Sequence, residues 1–270
     1  MSNIWKFVIL IVVSYFFGNI TFARLVARTR NNDDITTHGS GNPGTTNMLR
    51  THGLTLAIIT LILDALKSVI CCVIAYYWLK PQGGYLANLA VYVSGISCIL
   101  GHIYPVIFKF KGGKGVATGF GVICVARPTL IPLFVVAYLT IFLIWRVGSL
   151  ASLLSVILFM IGESIILLIN GYFGSYVLLI FAVSLIVYAH RTNIAKLFAN
   201  KESKIDINEA VQKDIDYAKE QREKRMKKKE GKNKSNDVDN KESEAVILTN
   251  ESGEDVDKKE EIPVEENNNE

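Results

Sequence analysis

Long runs of apolar residues alternate with short polar segments over the first 200 residues of this chain. Six runs are each close to the roughly 20 residues that a helix needs to cross about 30 Å of hydrocarbon. They occupy residues 4–27, 54–79, 86–108, 129–145, 150–169 and 172–189. A seventh run, residues 116–126, is too short to cross alone at about 1.5 Å per residue, and Pro128 follows it. The pattern predicts an all-α integral membrane protein with about seven transmembrane helices, one of them short or broken.

The distribution of basic residues predicts how these helices are oriented. Lys and Arg gather between the first and second runs, around residues 109–114, at Arg146 and beyond His190. The connections near residues 80–84 and 170–171 carry few charges. Since basic loops stay in the cytosol, these positions agree with one another only if the seventh run also traverses the membrane. We therefore expect a multi-pass protein of the cell membrane, with the N-terminus outside and the basic segments and C-terminal tail in the cytosol.

The net charge of +4 conceals two unlike parts of the chain. Residues 1–200 hold 14 Lys or Arg against 4 Asp or Glu, whereas residues 201–270 hold 15 against 21. The second part offers little apolar surface to bury, which is typical of a disordered tail. The sequence predicts a membrane-embedded domain over residues 1–207 and a charged, largely disordered cytosolic tail over residues 208–270. We expect a chain that ends after Ile207 to keep its activity.

The first polar segment, GSGNPGTTNMLR at residues 39–50, is rich in groups that bind anions. Its glycines let backbone amides turn toward an anion, and its Ser, Thr and Asn side chains add neutral donors. Arg50 adds a planar charged fork just before an apolar run, with no carboxylate close to it in sequence. A run of Gly, Asn and Pro is often only a turn, and Arg50 is what favours a binding loop here.

The second polar segment, KFKGGKGVAT at residues 109–118, looks like a phosphate-binding loop that leads into a helix. It lacks the G-x-x-x-x-G-K-[ST] spacing of nucleoside triphosphate sites. The alternative is a basic loop attracted to anionic lipid headgroups. The short helix that follows favours a phosphate site, because its positive dipole end would lie beside the loop at membrane depth.

The third polar segment, HRTNIAKL at residues 190–197, is followed by Glu202. At helical spacing, His190, Asn193 and Leu197 fall along one stripe. Further ionisable residues lie within or at the ends of apolar runs, where such groups are costly and usually face the bundle interior. Among them are Asp64, Lys67 and His102.

Together the three segments suit a reaction between a small anionic solute and an amphiphile with an anionic head, and phosphoryl and carboxyl groups both fit. The H-x-x-x-x-D dyad of the commoner glycerolipid acyltransferases is absent from the sequence. Asp33 and Asp34 are the only close acidic pair before the tail, so the sequence predicts no metal site. A transporter of an anionic solute and a lipid-binding structural protein are the two rival classes.

At these residues the chain resembles the bacterial acyl-phosphate:glycerol-3-phosphate acyltransferase family. That family carries a G-S-x-N-x-G-[AT]-T-N-x-x-R loop, a K-G-G-K-G-V-A-T loop and an H-x-x-N-I-x-[RK]-L segment with a following Glu, all present here in that order. The resemblance covers residues 4–207 and includes G-H-x-x-P at residues 101–105 and the pair Asp64 and Lys67. It implies transfer of a fatty acyl group from acyl phosphate to the 1-hydroxyl of glycerol 3-phosphate. The products would be lysophosphatidate and phosphate, in the first step of phospholipid synthesis.

The resemblance also implies which residues act. As catalytic residues it implies Ser40, Lys114, His190 and Asn193. As ligands of glycerol 3-phosphate it implies Ser40, Arg50, Lys114, Ser149 and Asn193. For acyl phosphate it implies Asn42, Thr46, Asn47, His190 and the amides of Gly112, Gly113 and Gly115. It implies membrane lipid as the surroundings, and no cofactor, no metal and no nucleic acid partner.

The chemistry that the resemblance implies needs little activation of the donor. A mixed anhydride is already an activated acyl group, so the enzyme chiefly has to position two anions and stabilise a tetrahedral oxyanion. Histidine titrates near neutrality, which makes His190 one candidate acceptor for the hydroxyl proton. A phosphate dianion of the substrates is the other candidate, and we expect the substrate to fill this role.

Overall fold

The protein folds into helices joined by short loops. The computed structural model describes residues 3–30 and 32–251, of which residues 230–251 are described as backbone. The helices are α1 Ile4–Gly18, α2 Phe22–Arg28, α3 Thr45–His52, α4 Leu54–Leu79, α5 Gly84–Ile103, α6 Val116–Ala126, α7 Ile131–Trp145, α8 Gly148–Ile169, α9 Phe173–Ala189, α10 Arg191–Phe198 and α11 Ile207–Glu251. Single 3-10 turns join some of them, at Ile35–Thr37, Lys80–Gln82, Val106–Phe108 and Pro128–Leu130. No strand occurs in this described part of the chain.

Five stretches of helix within the described residues are long and apolar enough to span a membrane. They are Ile4–Arg28, Leu54–Gln82, Gly84–Phe108, Pro128–Trp145 and Gly148–Ile169. Helices α9 and α10 form a further apolar pair, which bends by 59° at His190. Helix α6 has the bounds predicted for the short span, and its 11 residues cover only about 16 Å. The predicted all-α, multi-pass membrane fold is thereby confirmed.

The first predicted span differs from expectation because it is divided into two helices. Helix α1 ends at Gly18 and α2 begins at Phe22. The carbonyl of Gly18, at the end of α1, and that of Ile20, in the break, accept hydrogen bonds from the buried ammonium of Lys67 at 3.3 and 2.8 Å. Since an unpaired carbonyl is costly at membrane depth, Lys67 makes this break tolerable.

Helix α5 lies at the centre of the membrane domain and packs against α1, α4, α6 and α9. Glycines let α1 and α5 approach closely. A Cβ added at Gly18 would lie 2.9 Å from the carbonyl carbon of Cys98, and one added at Gly101 would lie 3.0 Å from the Cα of Gly18. Small residues at the contact are a common means of packing helices in lipid, and here they bring the backbones of α1 and α5 together.

A buried ion pair fixes the far end of the short helix α6. Arg127, directly after α6, donates from Nε to Oε2 of Glu163 at 2.8 Å, and Tyr92 donates to Oε1 of the same carboxylate at 2.6 Å. Glu163 is fully buried on α8. Because a buried carboxylate is costly unless it is paired and hydrogen-bonded, this cluster holds the end of α6 against α5 and α8.

The described chain separates into two compact units, one that ends at Ile215 and one that begins at Asp216. Helix α11 begins at Ile207, where the sequence places the end of the membrane domain, and its first two turns belong to the first unit. From Asp216 to Lys229 most side chains of this helix are exposed. The boundary after residue 207 and the disorder of the tail stay predictions, and residues 252–270 of that tail lie outside the described residues.

Candidate active site

The three polar segments meet at one cavity of about 270 Å³, bordered by α3, α4, α6, α7, α8 and the bend between α9 and α10. Gly112 and Gly113 do not line it. The other ten predicted site residues do, namely Ser40, Asn42, Thr46, Asn47, Arg50, Lys114, Gly115, Ser149, His190 and Asn193. Because the segments are far apart in sequence, the fold alone brings these side chains together.

Asn47 holds the first polar segment in place. Its Oδ1 accepts a hydrogen bond from the Ser40 amide at 2.9 Å, and its Nδ2 donates to the carbonyls of His38 and Ile35 at 3.0 and 3.2 Å. Gly39 makes the adjoining turn with a φ of +57°. The loop therefore engages both polar atoms of the Asn47 side chain, and the structure shows a positioning role for this residue.

The amides of Gly112 and Gly113 are also engaged by the protein. They donate to the carbonyls of Ile103 and His102, at the end of α5, at 3.2 and 3.0 Å. Gly113 has no positive φ, so close packing is what requires a glycine there. A Cβ at Gly113 would overlap the imidazole of His102 and lie 2.8 Å from its Cε1.

Amides that can face an anion come from Gly115 and the first turn of α6. Gly115 is the N-cap of α6 with a φ of +84°, and Gly115, Val116 and Ala117 all line the cavity. The first amides of a helix have no partner within the helix, and the helix dipole adds positive potential there. Of the three glycine amides that the resemblance implies, only that of Gly115 is at the cavity.

A buried polar network lies behind the second polar segment. The ammonium of Lys67 donates to Oδ1 of Asp64 and to Nδ1 of His102, both at 2.8 Å, besides the two carbonyls in the α1–α2 break. All three side chains are at most 3% exposed. His102 in turn packs against Gly113. The polar residues that the sequence singled out within the apolar runs therefore form the support of the loop that carries Lys114.

Four polar side chains form a continuous hydrogen-bonded chain across the cavity. Lys114 donates from Nζ to Oδ1 of Asn193. The Nδ2 of Asn193 donates to Oε1 of Glu202 at 2.6 Å, and Oγ of Ser149 donates to the same oxygen at 2.9 Å. Glu202 was not among the predicted site residues, although the family motif includes a Glu after the third segment and so gave a signal for it. It orients Asn193 and Ser149 and partly offsets the charge of Lys114.

Lys114 has an unusual electrostatic environment. Burial lowers its pKa from the ordinary value to about 8, with nearby Lys196 and Arg50 acting in the same direction and Glu202 opposing it. Glu202 therefore offsets the cost of burying this ammonium only in part, and a phosphate placed beside it would add a second anion.

Arg50 lies in the last turn of α3 and borders the cavity. One of its guanidinium nitrogens, Nη2, donates to the carbonyl of Ser203 at 3.1 Å. Among the described residues, no carboxylate forms an ion pair with it. A guanidinium without a carboxylate partner, close to a second cation, is well suited to hold a phosphate.

His190 occupies the bend between α9 and α10 and is 2% exposed. Its Nδ1 lies 2.8 Å from the carbonyl of Ile186, and a carbonyl only accepts, so Nδ1 carries the proton. In the neutral ring Nε2 then bears the lone pair. The bend thus presents a potential proton acceptor at the cavity.

Much of the cavity lining is apolar. These apolar residues come from α4, α6 and α7 and are Leu61, Val116, Phe120, Phe134, Val135, Tyr138 and Leu139. Sequence reasoning did not single out these residues, because an apolar side chain within an apolar run carries no local signal of its neighbours. The cavity thus combines cations, neutral donors and an apolar wall that a fatty acyl chain would fit.

Comparison with known proteins identifies similar chains. A model of the glycerol-3-phosphate acyltransferase family matches residues 8–200, and a model of a family of unknown function matches residues 150–260. A glycerol-3-phosphate acyltransferase from Finegoldia magna is 36% identical over 206 residues, which cover 76% of this chain and 100% of that protein. One from Paraburkholderia phytofirmans is 38% identical over 200 residues, which cover 73% and 90%.

Two solved structures are similar to this chain in both sequence and fold. They are crystal structures of PlsY, an integral membrane glycerol 3-phosphate acyltransferase, in its glycerol 3-phosphate form and its lysophosphatidic acid form. The first is 34% identical with a TM-score of 0.65, and the second is 33% identical with a TM-score of 0.63. Each match covers 76% of this chain and 98% of the solved chain.

Proposed function

This chain belongs to the glycerol-3-phosphate acyltransferase family, and on this basis we propose that it uses acyl phosphate as donor and acylates the 1-hydroxyl of glycerol 3-phosphate. The products would be lysophosphatidate and inorganic phosphate. As a membrane acyltransferase of lipid biosynthesis, the enzyme would then catalyse the first step of phospholipid synthesis. No cofactor enters this reaction, because the mixed anhydride is itself an activated acyl group.

The observation that carries the proposal is the composition of the cavity. Arg50 and Lys114 border it, Glu202 is a nearby counter-charge, and the other lining carboxylate, Asp64, is paired with Lys67. Apolar residues of α4, α6 and α7 also line it. Two anionic head groups and one fatty chain would satisfy all of these surfaces. A cavity for an anionic solute alone would have no use for the apolar wall.

We assign glycerol 3-phosphate to the side of the cavity that carries the two cations. Arg50 would hold its phosphate through a bidentate fork, and Lys114 would add a second charge. Ser40, Ser149 and Asn193 would donate to or accept from its hydroxyls. Glu202 supports this arrangement, because its carboxylate fixes the orientation of both Asn193 and Ser149.

We assign the acyl phosphate head to Gly115 and the first turn of α6, together with Asn42, Thr46 and His190. Unpaired amides at a helix start bind phosphate readily. The same amides would lie close to the carbonyl oxygen of the anhydride, where negative charge develops during attack. Asn47 and Gly113 support this subsite from behind, through their contacts with the loop and with His102.

In the proposed reaction the 1-hydroxyl oxygen attacks the carbonyl carbon of the anhydride. A tetrahedral oxyanion forms, the bond from that carbon to the bridging oxygen breaks, and phosphate leaves with the bridging oxygen. The hydroxyl proton passes to an acceptor within hydrogen-bond reach. Nε2 of His190, which lines the cavity, and an oxygen of the substrate phosphate are the two candidates, and either route balances the reaction.

The donor is tested by offering alternatives to the purified enzyme in lipid bilayers. We expect palmitoyl phosphate with glycerol 3-phosphate to yield lysophosphatidate and one phosphate for each acyl transfer. We expect palmitoyl coenzyme A at the same concentration to yield none. Equal turnover with the coenzyme A ester would contradict the proposed donor while leaving the acyltransferase assignment intact.

We further propose that the cavity opens toward the cytosol and that the N-terminus lies outside. The basic segments that supply Arg50 and Lys114 favour this orientation. Cysteines introduced at Gly83 and Gly171 are expected to react with an impermeant maleimide added outside intact cells, and one at Thr51 is expected not to react. Both glycines have open space around them, so an added side chain meets no neighbour there, and its cost is the local strain of a positive φ. Labelling at Thr51 alone from outside would reverse the orientation.

Arg50→Lys is expected to raise the apparent KM for glycerol 3-phosphate by about 10-fold, because an ammonium cannot reproduce the two parallel hydrogen bonds of a guanidinium. The KM for acyl phosphate should change much less. Arg191→Lys, on an exposed residue at the start of α10, makes the same change of side chain and serves as control. Unchanged kinetics in Arg50→Lys would remove Arg50 from the proposed site.

The ratio kcat/KM for glycerol 3-phosphate is expected to fall as pH rises through about 8. The pKa of Lys114 is lowered to about 8 by burial, so above that value the free enzyme loses the charge that attracts phosphate. The measurement is a rate profile from about pH 6.5 to 9.5, corrected for spontaneous hydrolysis of acyl phosphate. A flat profile through pH 9 would contradict this prediction, because Lys114 would then either stay charged or not be needed for binding.

A further inference from the structure

The first two turns of α11 rest on the corner between α3 and α4. Gly53 forms this corner with a φ of +99° and is the N-cap of α4, with no side chain of its own to cap that helix. A Cβ added at Gly53 would lie 2.9 Å from Cγ of Asp214 and 3.0 Å from the carbonyl oxygen of Ala210. Ala210 is 1% exposed, so this contact is closely packed.

Asp214 supplies the cap that α4 lacks. Its Oδ2 accepts hydrogen bonds from the amide of Thr55 at 2.8 Å and from the Thr55 hydroxyl at 3.0 Å. Its Oδ1 lies 3.9 Å from Nη1 of Arg30. A side-chain oxygen that accepts from the second or third amide of a helix is the usual form of an N-cap, but here it comes from a residue far along the chain.

The carbonyl end of α3 is held by the same segment. Lys213 donates from Nζ to the carbonyl of Arg50 at 2.5 Å. Arg30 donates to the carbonyls of His52 and Lys213, the latter at 2.7 Å. The bonds to Arg50 and His52 satisfy carbonyls that the last turn of α3 otherwise leaves unpaired. Through Lys213 and Arg30, α3 is tied to α11 and to the segment after α2.

Helix α3 is only eight residues long and carries Thr46, Asn47 and Arg50. A helix this short has little stability of its own. Its orientation therefore depends on what holds its two ends. Asn47 holds the first end through the preceding loop, and residues 213 and 214 hold the second.

We propose that the first two turns of α11 are a positioning element for glycerol 3-phosphate binding, in which Asp214 and Lys213 fix the α3–α4 corner and so direct the guanidinium of Arg50 into the cavity. This inference rests on the proposed role of Arg50. Asp214 is a positioning residue and not a catalytic one, because it touches α4 and Arg30. The segment lies beyond residue 200, where the match to the acyltransferase family ends.

The proposal changes the expected role of residues 208–215. A chain that ends after Ile207 would lose Lys213 and Asp214, and with them the cap of α4 and the bond to the Arg50 carbonyl. Its affinity for glycerol 3-phosphate would fall, whereas the sequence alone predicts no loss of activity for such a chain.

The test uses the full-length enzyme with Asp214→Ala, Asp214→Asn and Lys213→Met. Asp214→Ala is expected to raise both the KM and the equilibrium dissociation constant for glycerol 3-phosphate by about 5-fold, the scale of a lost cap. The kcat and the KM for acyl phosphate should stay near those of the unmodified enzyme. Asp214→Asn keeps an oxygen that can cap the helix, so its KM for glycerol 3-phosphate should lie between those of Asp214→Ala and the unmodified enzyme. Glu223→Ala and Lys219→Met, at exposed positions further along α11, are the matched controls.

Each outcome separates the positioning role from its alternatives. An unchanged KM for glycerol 3-phosphate in Asp214→Ala would overturn the proposal, and if the variant were also less thermally stable, Asp214 would be a purely structural residue. If combining Asp214→Ala with Arg50→Lys adds the two single effects, Asp214 does not act through Arg50. An unmodified enzyme that neither binds nor acylates glycerol 3-phosphate would overturn the proposed function itself, and this inference with it.

Discussion

Gly113→Ala is expected to lower kcat by at least about 100-fold, the scale of loss when a reacting group is displaced by about 1 Å. An added methyl group would overlap the imidazole of His102. His102 accepts a hydrogen bond from Lys67, which also bonds Asp64 and the carbonyls of the α1–α2 break. Either His102 or the loop that carries Lys114 must therefore move. The measurement is steady-state turnover of purified enzyme together with its thermal midpoint.

Two control variants separate the displacement of His102 or the loop from the general effects of an added methyl group and of a lost charge. Gly162→Ala adds the same methyl group at a helix position where the nearest atom would lie 3.5 Å away, and it should keep its activity. Lys109→Ala removes a charge at the exposed edge of the same loop, and it should be milder than Gly113→Ala. If activity follows net charge and tolerates the methyl group at Gly113, the loop binds lipid headgroups and the acyl phosphate subsite lies elsewhere.

Lys114→Met is expected to lower kcat/KM for glycerol 3-phosphate by on the order of 1,000-fold, as for loss of a principal electrostatic group. The change removes the ammonium that donates to Asn193 and leaves the carboxylate of Glu202 without its neighbouring cation. The negative charge of Glu202 would then repel the phosphate of glycerol 3-phosphate. The same assay with saturating acyl phosphate gives the ratio directly.

Lys196→Met is the matched control for this variant. Lys196 is exposed on α10 and close enough to influence the pKa of Lys114, so its removal makes the same change in net charge nearby. We expect a loss below about 3-fold for a screened surface charge. Similar losses in the two variants would mean that the general positive potential matters and that Lys114 has no specific role.

The sequence predicts the membrane architecture well, because hydrocarbon imposes a length and polarity that can be counted. Helix α6 begins at Val116 and ends at Ala126, as the short apolar run indicates. The break between α1 and α2 was not predicted. Its cost is offset by Lys67, which lies in another helix and bonds the carbonyls of Gly18 and Ile20, and hydropathy cannot reveal a partner distant in sequence.

In the candidate site, too, features of the local sequence were predicted and contacts between distant residues were not. Polar residues in short motifs have a local signal, so ten of the twelve predicted positions line the cavity. The engagement of the Gly112 and Gly113 amides by α5 depends on how the loop folds back on that helix, which the motif does not encode. The ion pair of Arg127 with Glu163 and the contacts of Asp214 join residues from distant helices. Such contacts follow from packing and leave no pattern in the sequence.

The most direct test of the central claim follows the bridging oxygen of the donor. Palmitoyl phosphate labelled with ¹⁸O between the carbonyl carbon and phosphorus is incubated with the enzyme and glycerol 3-phosphate, and the products are analysed by mass spectrometry. Attack at the carbonyl carbon predicts labelled inorganic phosphate and unlabelled lysophosphatidate in equal amounts. Labelled palmitate together with a doubly phosphorylated glycerol would show phosphoryl transfer and would contradict the account.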